Sequence, residues 1–263
     1  MITLFSNVGI EPTFYKVNGM YCDQDDLTKI KGHPWMRNAY IDDEVLEIPS
    51  TVYSSYANLE KAYIKLVDVL GGQGYVPSSL LSMEEQGNCH INFDFSDVYH
   101  AINLINFLNT YPSIVWALIT ANDNISSKII TTPISLKKDG TDWLDKYEKG
   151  RMLTFRHRLF HVHRVELRFF KQPRTILEFR NRLRIANSIL FLTNQRYYDH
   201  IRKVRGMKYL YKMTNTAETL QNYTYKKALS ELHHISNILG LNIEWFDLEQ
   251  LKLRFSYGKE YLI

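Results

Sequence analysis

Two segments with strict period-two alternation most constrain what this chain can fold into. In Gly87-Asn-Cys-His-Ile-Asn-Phe-Asp-Phe95, His90, Asn92 and Asp94 fall on one side, and Ile91, Phe93 and Phe95 on the other. In Arg164-Val-Glu-Leu-Arg-Phe169, Arg164, Glu166 and Arg168 oppose Val165, Leu167 and Phe169. Such alternation predicts strands with one face in a core. A sheet face bearing a histidine, an acid and arginines is suited to holding metal ions and phosphates.

The rest of the chain can be placed around these strands. Val8 to Val17 reads as one strand that aligns Glu11, Thr13 and Tyr15, and Tyr40 to Ile48 as another. Leu59, Ala62, Tyr63, Leu66 and Leu70 recur at helical spacing over Ser55 to Leu70, ended by Gly71-Gly72. Ser96 or Asp97 can cap a helix through Asn109, with Ile102, Ile105 and Leu108 on its buried stripe. A turn at Asp139-Gly140-Thr141 and a short helix from Trp143 to Lys149 precede strands over Leu153–Phe160 and His163–Phe170. A helix from Thr175 to Leu192 follows, and the last third is mostly helical, with Asn215 and Glu218 as a capping box and Gly240 as a stop. The order β-β-α-β-α, then a strand pair and helices, predicts an α+β fold. Its sheet is largely antiparallel and backed by helices on one face.

Composition narrows the functional classes. Aromatics at 13% favour sheet-rich structure and argue against disorder. Cys22 and Cys89 are too few for a disulfide framework and match no zinc spacing. The opening Met-Ile-Thr-Leu-Phe-Ser-Asn lacks the basic and apolar regions of a signal peptide, and the apolar run near Ile114–Thr120 is too short to span a bilayer. A cytoplasmic protein without membrane contact is therefore expected. There is no glycine-rich phosphate loop or dinucleotide fingerprint. Net charge is only +4, yet Arg151 to Arg184 holds ten Lys/Arg against Glu166 and Glu178. Such a block serves nucleic acid or nucleotide phosphates, or is simply the solvated face of a strand and a helix.

Each candidate residue also has a plain structural alternative. His90 can be a hydrogen-bonded strand residue, and Glu166 between Arg164 and Arg168 can be a cross-strand ion-pair ladder. Glu11 can end a strand before Pro12, and Glu47 can blunt a sheet edge beside Pro49. His161 and His163 share a strand face without an acid at ligand spacing, His233-His234 reads as solvent-facing, and a Cys–His pair would place Cys89 on the core face of its strand.

The ordered segments resemble the carboxylate–amine ligases of the glutamine synthetase and glutamate–cysteine ligase superfamily, and most of all the small amidoligases often found in phages. Gly9-Ile-Glu-Pro-Thr-Phe14 resembles the family's acidic opening strand, and Asp43-Glu-Val-Leu-Glu-Ile-Pro49 the next strand, which ends in an acid before proline. Gly87-Asn-Cys-His-Ile-Asn92 is similar to the Gly-led His-x-His or His-x-Asn strand, and Val165-Glu-Leu-Arg-Phe169 to the late Glu-x-Arg strand. The resemblance implies a glutamine-synthetase-like curved antiparallel sheet. It also implies ATP with Mg²⁺ or Mn²⁺ as cofactors, and amide formation between a small-molecule or peptide carboxylate and an amine or ammonia. The family holds two or three divalent cations: His90, Glu166 and Glu11 would ligate the one bridging the ATP phosphates and Glu47 would help hold its neighbour, with Arg168 and Glu166 at the transferring phosphoryl group. Arg156 and Arg158 would face the other phosphates, with Arg164 and Asn92 beside them as ATP-binding residues. Residues 1–263 would form one domain, with the motifs in 8–195 and a helical extension over 196–263. The family's opening strand usually carries a second acid where this chain has Thr13, and many relatives have histidine where Asn92 stands. A catalytically degenerate scaffold of the same fold is the alternative these departures raise, and a nucleic-acid-binding protein using residues 151–184 is a third.

Overall fold

The computed structural model describes residues 7–18, 21–42, 44–80, 87–94, 98–123, 126–131, 152–158, 161–194 and 211–262. The strands among them are β1 (Val8–Glu11), β2 (Thr13–Lys16), β3 (Tyr40–Asp42), β4 (Val45–Glu47), β5 (Tyr75–Pro77), β6 (His90–Asp94), β7 (Leu153–Arg158) and β8 (His161–Leu167). They form two four-stranded sheets ordered β1-β6-β8-β7 and β3-β4-β2-β5, with every pair antiparallel. The α+β class and antiparallel pairing are those expected.

Two expected strands divide, each for a local reason. Val8 to Val17 breaks at Pro12, which has no N–H to give to a ladder. Glu11 therefore ends β1 opposite His90 in one sheet, while Thr13 opens β2 opposite Glu47 in the other. The carbonyls of Pro12 and Ile10 still accept from Ile48 and Ser50 N–H, so the segment after β4 follows the bend and couples the two sheets. Tyr40 to Ile48 is a hairpin rather than one strand. The chain reverses after Asp42, Glu44 takes φ +69°, and Tyr40 faces Glu47 across the pair.

The helices are α1 (Gln24–Lys29), α2 (Tyr56–Gly71), α3 (Val98–Thr110), α4 (Pro112–Trp116), α5 (Ile176–Leu192), α6 (Ala217–Gln221), α7 (Tyr225–Leu239) and α8 (Leu248–Tyr257). Of the expected stripe on α2, Leu59, Tyr63, Leu66 and Leu70 are buried and Ala62 is half-buried. Thr175 caps α5 by accepting from Glu178 N–H. The capping box of α6 uses Thr216 and Thr219, not Asn215 and Glu218, because the helix starts one residue later than the pattern indicated. Asn215 instead donates its amide to the Asn109 carbonyl. Gly240, at φ +66°, closes α7. The Asp139–Thr141 turn, the 143–149 helix, and the Ser96 and Asp97 caps lie outside the described residues, as does Asp43.

The apolar faces of both motif strands meet in one core. Val8, Ile10, Ile91, Phe93, Val165 and Leu167 are all buried there, together with Ile102, Ile105 and Leu108 of α3. Leu232 of α7 and Leu251 of α8 belong to the same cluster. Cys89 lies in this core with its thiol pushed up to about 12 by burial, far from the thiolate that nucleophilic chemistry needs.

Candidate metal centre

Pairing register builds the opposite face of the β1-β6-β8 sheet in rows. Glu11 stands opposite His90. Gly9, Asn92 and Glu166 make the next row, and Asp94 and Arg164 the one beyond. Arg168 follows directly on β8, its N–H bonded to the Met152 carbonyl. Gly9 leaves its place in the middle row without a side chain. A cleft of about 80 Å³ opens there, lined by Glu11, Ser50, Asn92, Asp94 and Arg164 among others.

Glu11, His90 and Glu166 are all buried and bring one ligand atom each to within 4.8 Å of one another. His90 Nδ1 lies 3.1 Å from Glu166 Oε1 and 3.8 Å from Glu11 Oε2. Burial alone would hold the imidazole pKa down, but hydrogen bonds to Glu11 and Glu166 outweigh it and lift it to about 9. Burial pushes the Glu166 carboxyl up, and the bond to His90 with the charges of His90, Arg168 and Arg164 reverses this, so it stays below its ordinary value. Arg168 Nη1 donates to Glu166 Oε1 at 2.9 Å, while its buried Nε has no partner among the described residues.

The cofactor-side residues fall unevenly. Asn92 Nδ2 donates to Glu11 Oε1 at 2.9 Å, and Arg164 donates to Asn92 Oδ1 through Nε at 2.8 Å and to Glu11 Oε1 through Nη2 at 2.7 Å. The backbone of Arg156 pairs with Arg164 and that of Arg158 with His161, but the side chains of Arg156, Arg158, His161 and His163 lie outside the described residues. Glu47 is buried yet stands outside the three-residue ligand group. Tyr40 Oη donates to its Oε2 at 2.5 Å, and burial raises its carboxyl pKa. Tyr40 is the neighbour that sequence reasoning missed. The hairpin that brings it there rests on the positive φ of Glu44, which an acid does not advertise.

Thr13 serves structure. Its Oγ1 bonds Ser78 Oγ at 2.6 Å and the Asn88 carbonyl at 3.0 Å. Among the described residues the basic block is also largely committed: Arg180 grips Glu60 through two nitrogens, Arg182 is buried against Glu178 and the Lys171 carbonyl, and Arg184 lies over the Trp245 ring. His233 and His234 are exposed, as expected.

No protein-family model matches the chain, and no curated protein matches it. Among solved structures, it is similar to the ligase in the complex between prokaryotic ubiquitin-like protein Pup and its ligase PafA, with TM-score 0.43 and 12% sequence identity. The match covers 97% of this chain and spans 65% of the length of that one. Among the described residues no helix is long and apolar enough to cross a membrane.

Proposed function

We propose that this face binds a divalent cation and a nucleoside triphosphate, and that the protein is an ATP-dependent ligase joining a carboxylate to an amine. One observation carries the reading: two buried carboxylates and an imidazole converge within 4.8 Å, flanked by two arginines. An ion bound at about 2.1 Å needs donor atoms no more than about 4.2 Å apart, so small side-chain adjustments suffice. The mixed oxygen and nitrogen donors suit Mn²⁺ or Mg²⁺ that keeps open positions for water and phosphate oxygens.

When bound, the cation would neutralise phosphate charge and align the transferring group. The chain's own residues do the rest. Glu11, Glu166 and His90 would hold the ion. Arg168 would direct its unpartnered Nε–H at a phosphate oxygen, stabilising charge as the phosphoryl group passes to a substrate carboxylate. The resulting acyl phosphate would release phosphate when an amine attacks, giving the amide. Arg156 and Arg158, on neighbouring β7, are proposed for the remaining phosphates, and Asn92 for holding Glu11 in place. Glu47 is proposed for a supporting role through Tyr40. The single-domain assignment over 1–263 is part of the same proposal, as is a cytoplasmic location.

The scaffold reading draws its support from Thr13, whose hydroxyl is spent on Ser78 and Asn88. Replacing Glu166 by Ala and His90 by Ala separates the two. For a ligase, both variants lose ATP hydrolysis and transfer at least a hundredfold while circular dichroism stays native. Turnover equal to the wild type in both would overturn the site.

A further inference from the structure

We infer that the centre is built for a single divalent cation, with the Arg164 guanidinium as its second positive charge. This rests on the metal assignment proposed above. The two oxygens of Glu11 are used differently. Oε1 accepts from Asn92 Nδ2 at 2.9 Å and from Arg164 Nη2 at 2.7 Å, whereas Oε2 lies towards His90 at 3.8 Å. One oxygen of the carboxylate faces the ligand group and the other faces a fixed guanidinium.

Arg164 is held where it is. Its Nε donates to Asn92 Oδ1 at 2.8 Å, and the same amide donates through Nδ2 to Glu11, so Glu11, Asn92 and Arg164 close a ring of three hydrogen bonds. The ring also explains why an amide suits position 92. It accepts from the arginine and donates to the acid at once, which a carboxylate cannot do.

One oxygen of each further acid, and the Thr13 hydroxyl, is engaged elsewhere. Glu47 Oε2 accepts from Tyr40, Thr13 Oγ1 is bonded to Ser78 and Asn88, and Asp94 Oδ2 accepts from Asn7 Nδ2 at 2.7 Å. Among the described residues, only Glu11, His90 and Glu166 form a ligand group. A second cation beside Glu11 would also meet the guanidinium charge. One divalent ion would stand with the Arg164 and Arg168 guanidinium groups beside Glu11 and Glu166. Those cationic groups complement a polyphosphate. Arg164 is partly exposed and lines the cleft over Gly9, where such a ligand can reach it.

The test titrates Mn²⁺ into the purified protein, following the free ion by electron paramagnetic resonance, and then titrates inorganic pyrophosphate into the Mn²⁺-loaded protein by calorimetry. Wild type, Arg164→Met and Arg164→Lys are compared. Wild type should bind one Mn²⁺ per chain. Arg164→Met should bind Mn²⁺ more tightly, roughly tenfold, because a nearby positive charge is gone, and pyrophosphate at least tenfold more weakly. Arg164→Lys should recover part of the pyrophosphate affinity.

Two Mn²⁺ per wild-type chain would overturn the inference and leave the metal assignment standing. So would any variant result other than opposite shifts of the two affinities. If Arg164→Met does not fold, the wild-type stoichiometry and Arg164→Lys decide. No Mn²⁺ binding to wild type would overturn the metal assignment, and the inference with it.

Discussion

At Gly87 the backbone runs so close to Thr13 and Ser78 that an added Cβ would lie 2.5 Å from Thr13 Oγ1 and 2.8 Å from Ser78 Oγ. Both hydroxyls are buried and bonded to each other, so neither yields cheaply. Gly87→Ala should cost about 1–3 kcal/mol in chemical denaturation, and a loss below about 0.5 kcal/mol would contradict the close approach. The glycine ahead of His90 was visible in the sequence, but its cause was not, because Thr13 and Ser78 are distant in the chain. His90 makes a second residue-scale prediction. Its pKa of about 9 lies above the ordinary value near 6.5, so in the metal-free protein its pairing stabilises the fold below pH 6.5 and is lost as pH rises through 9. A cation taking the imidazole must release that proton. Mn²⁺ affinity should therefore rise about tenfold per pH unit between pH 7 and 8.5. A flat profile would mean that His90 is not a ligand. Period two made His90, Asn92, Arg164 and Glu166 legible as one face. The Arg164–Glu11 contact was hidden, because it spans three strands and only register reveals it.

Among the elements, β6, α2 and α5 were readable because each carries an uninterrupted period and, for α5, a clear cap, and β8 because its alternation is clean from Arg164 to Leu167. The failures came where one residue changes direction. Pro12 diverts Thr13 into the second sheet, and the turn at Glu44 folds one expected strand into a hairpin. Both reversals shape the centre: the first removes Thr13 from it, and the second gives Glu47 its tyrosine. Between helices, buried His100 of α3 contacts the end of α5, its Nε2 3.0 Å from the Leu190 carbonyl and 3.0 Å from Thr193 Oγ1. Burial pushes its pKa down to about 3. The unfolded chain takes up the proton first, near pH 6.5, so stability should fall as pH drops from 6.5 towards 3, by up to about 1.4 kcal/mol per unit. Denaturation midpoints between pH 6.5 and 4 should show a shallower slope in His100→Gln. An identical slope would remove His100 as the cause.

Across the whole molecule, the C-terminal helices are tied to the strand that carries Glu166. Lys171, four residues past β8, is fully buried and forms an ion pair with Asp247, the N-cap of α8, whose N–H bonds the Ala117 carbonyl. Arg254 of α8 reaches Ser127 Oγ and the carbonyls of Thr120 and Asp123. Such cross-chain ties have no local pattern, which is why residues past 196 showed helices in the sequence and nothing of their docking. Asp247→Ala leaves a buried ammonium alone and should destabilise the protein by about 3–5 kcal/mol. A midpoint within error of wild type would show that the Lys171–Asp247 pair does not hold these helices to the strand. The decisive measurement is a calorimetric titration of ATP into the full chain, with and without Mg²⁺, in wild type and Glu166→Ala. Magnesium-dependent binding that disappears in Glu166→Ala is the predicted result. Binding that ignores both magnesium and Glu166, or no binding by wild type under either condition, would contradict a nucleotide–metal centre on this face.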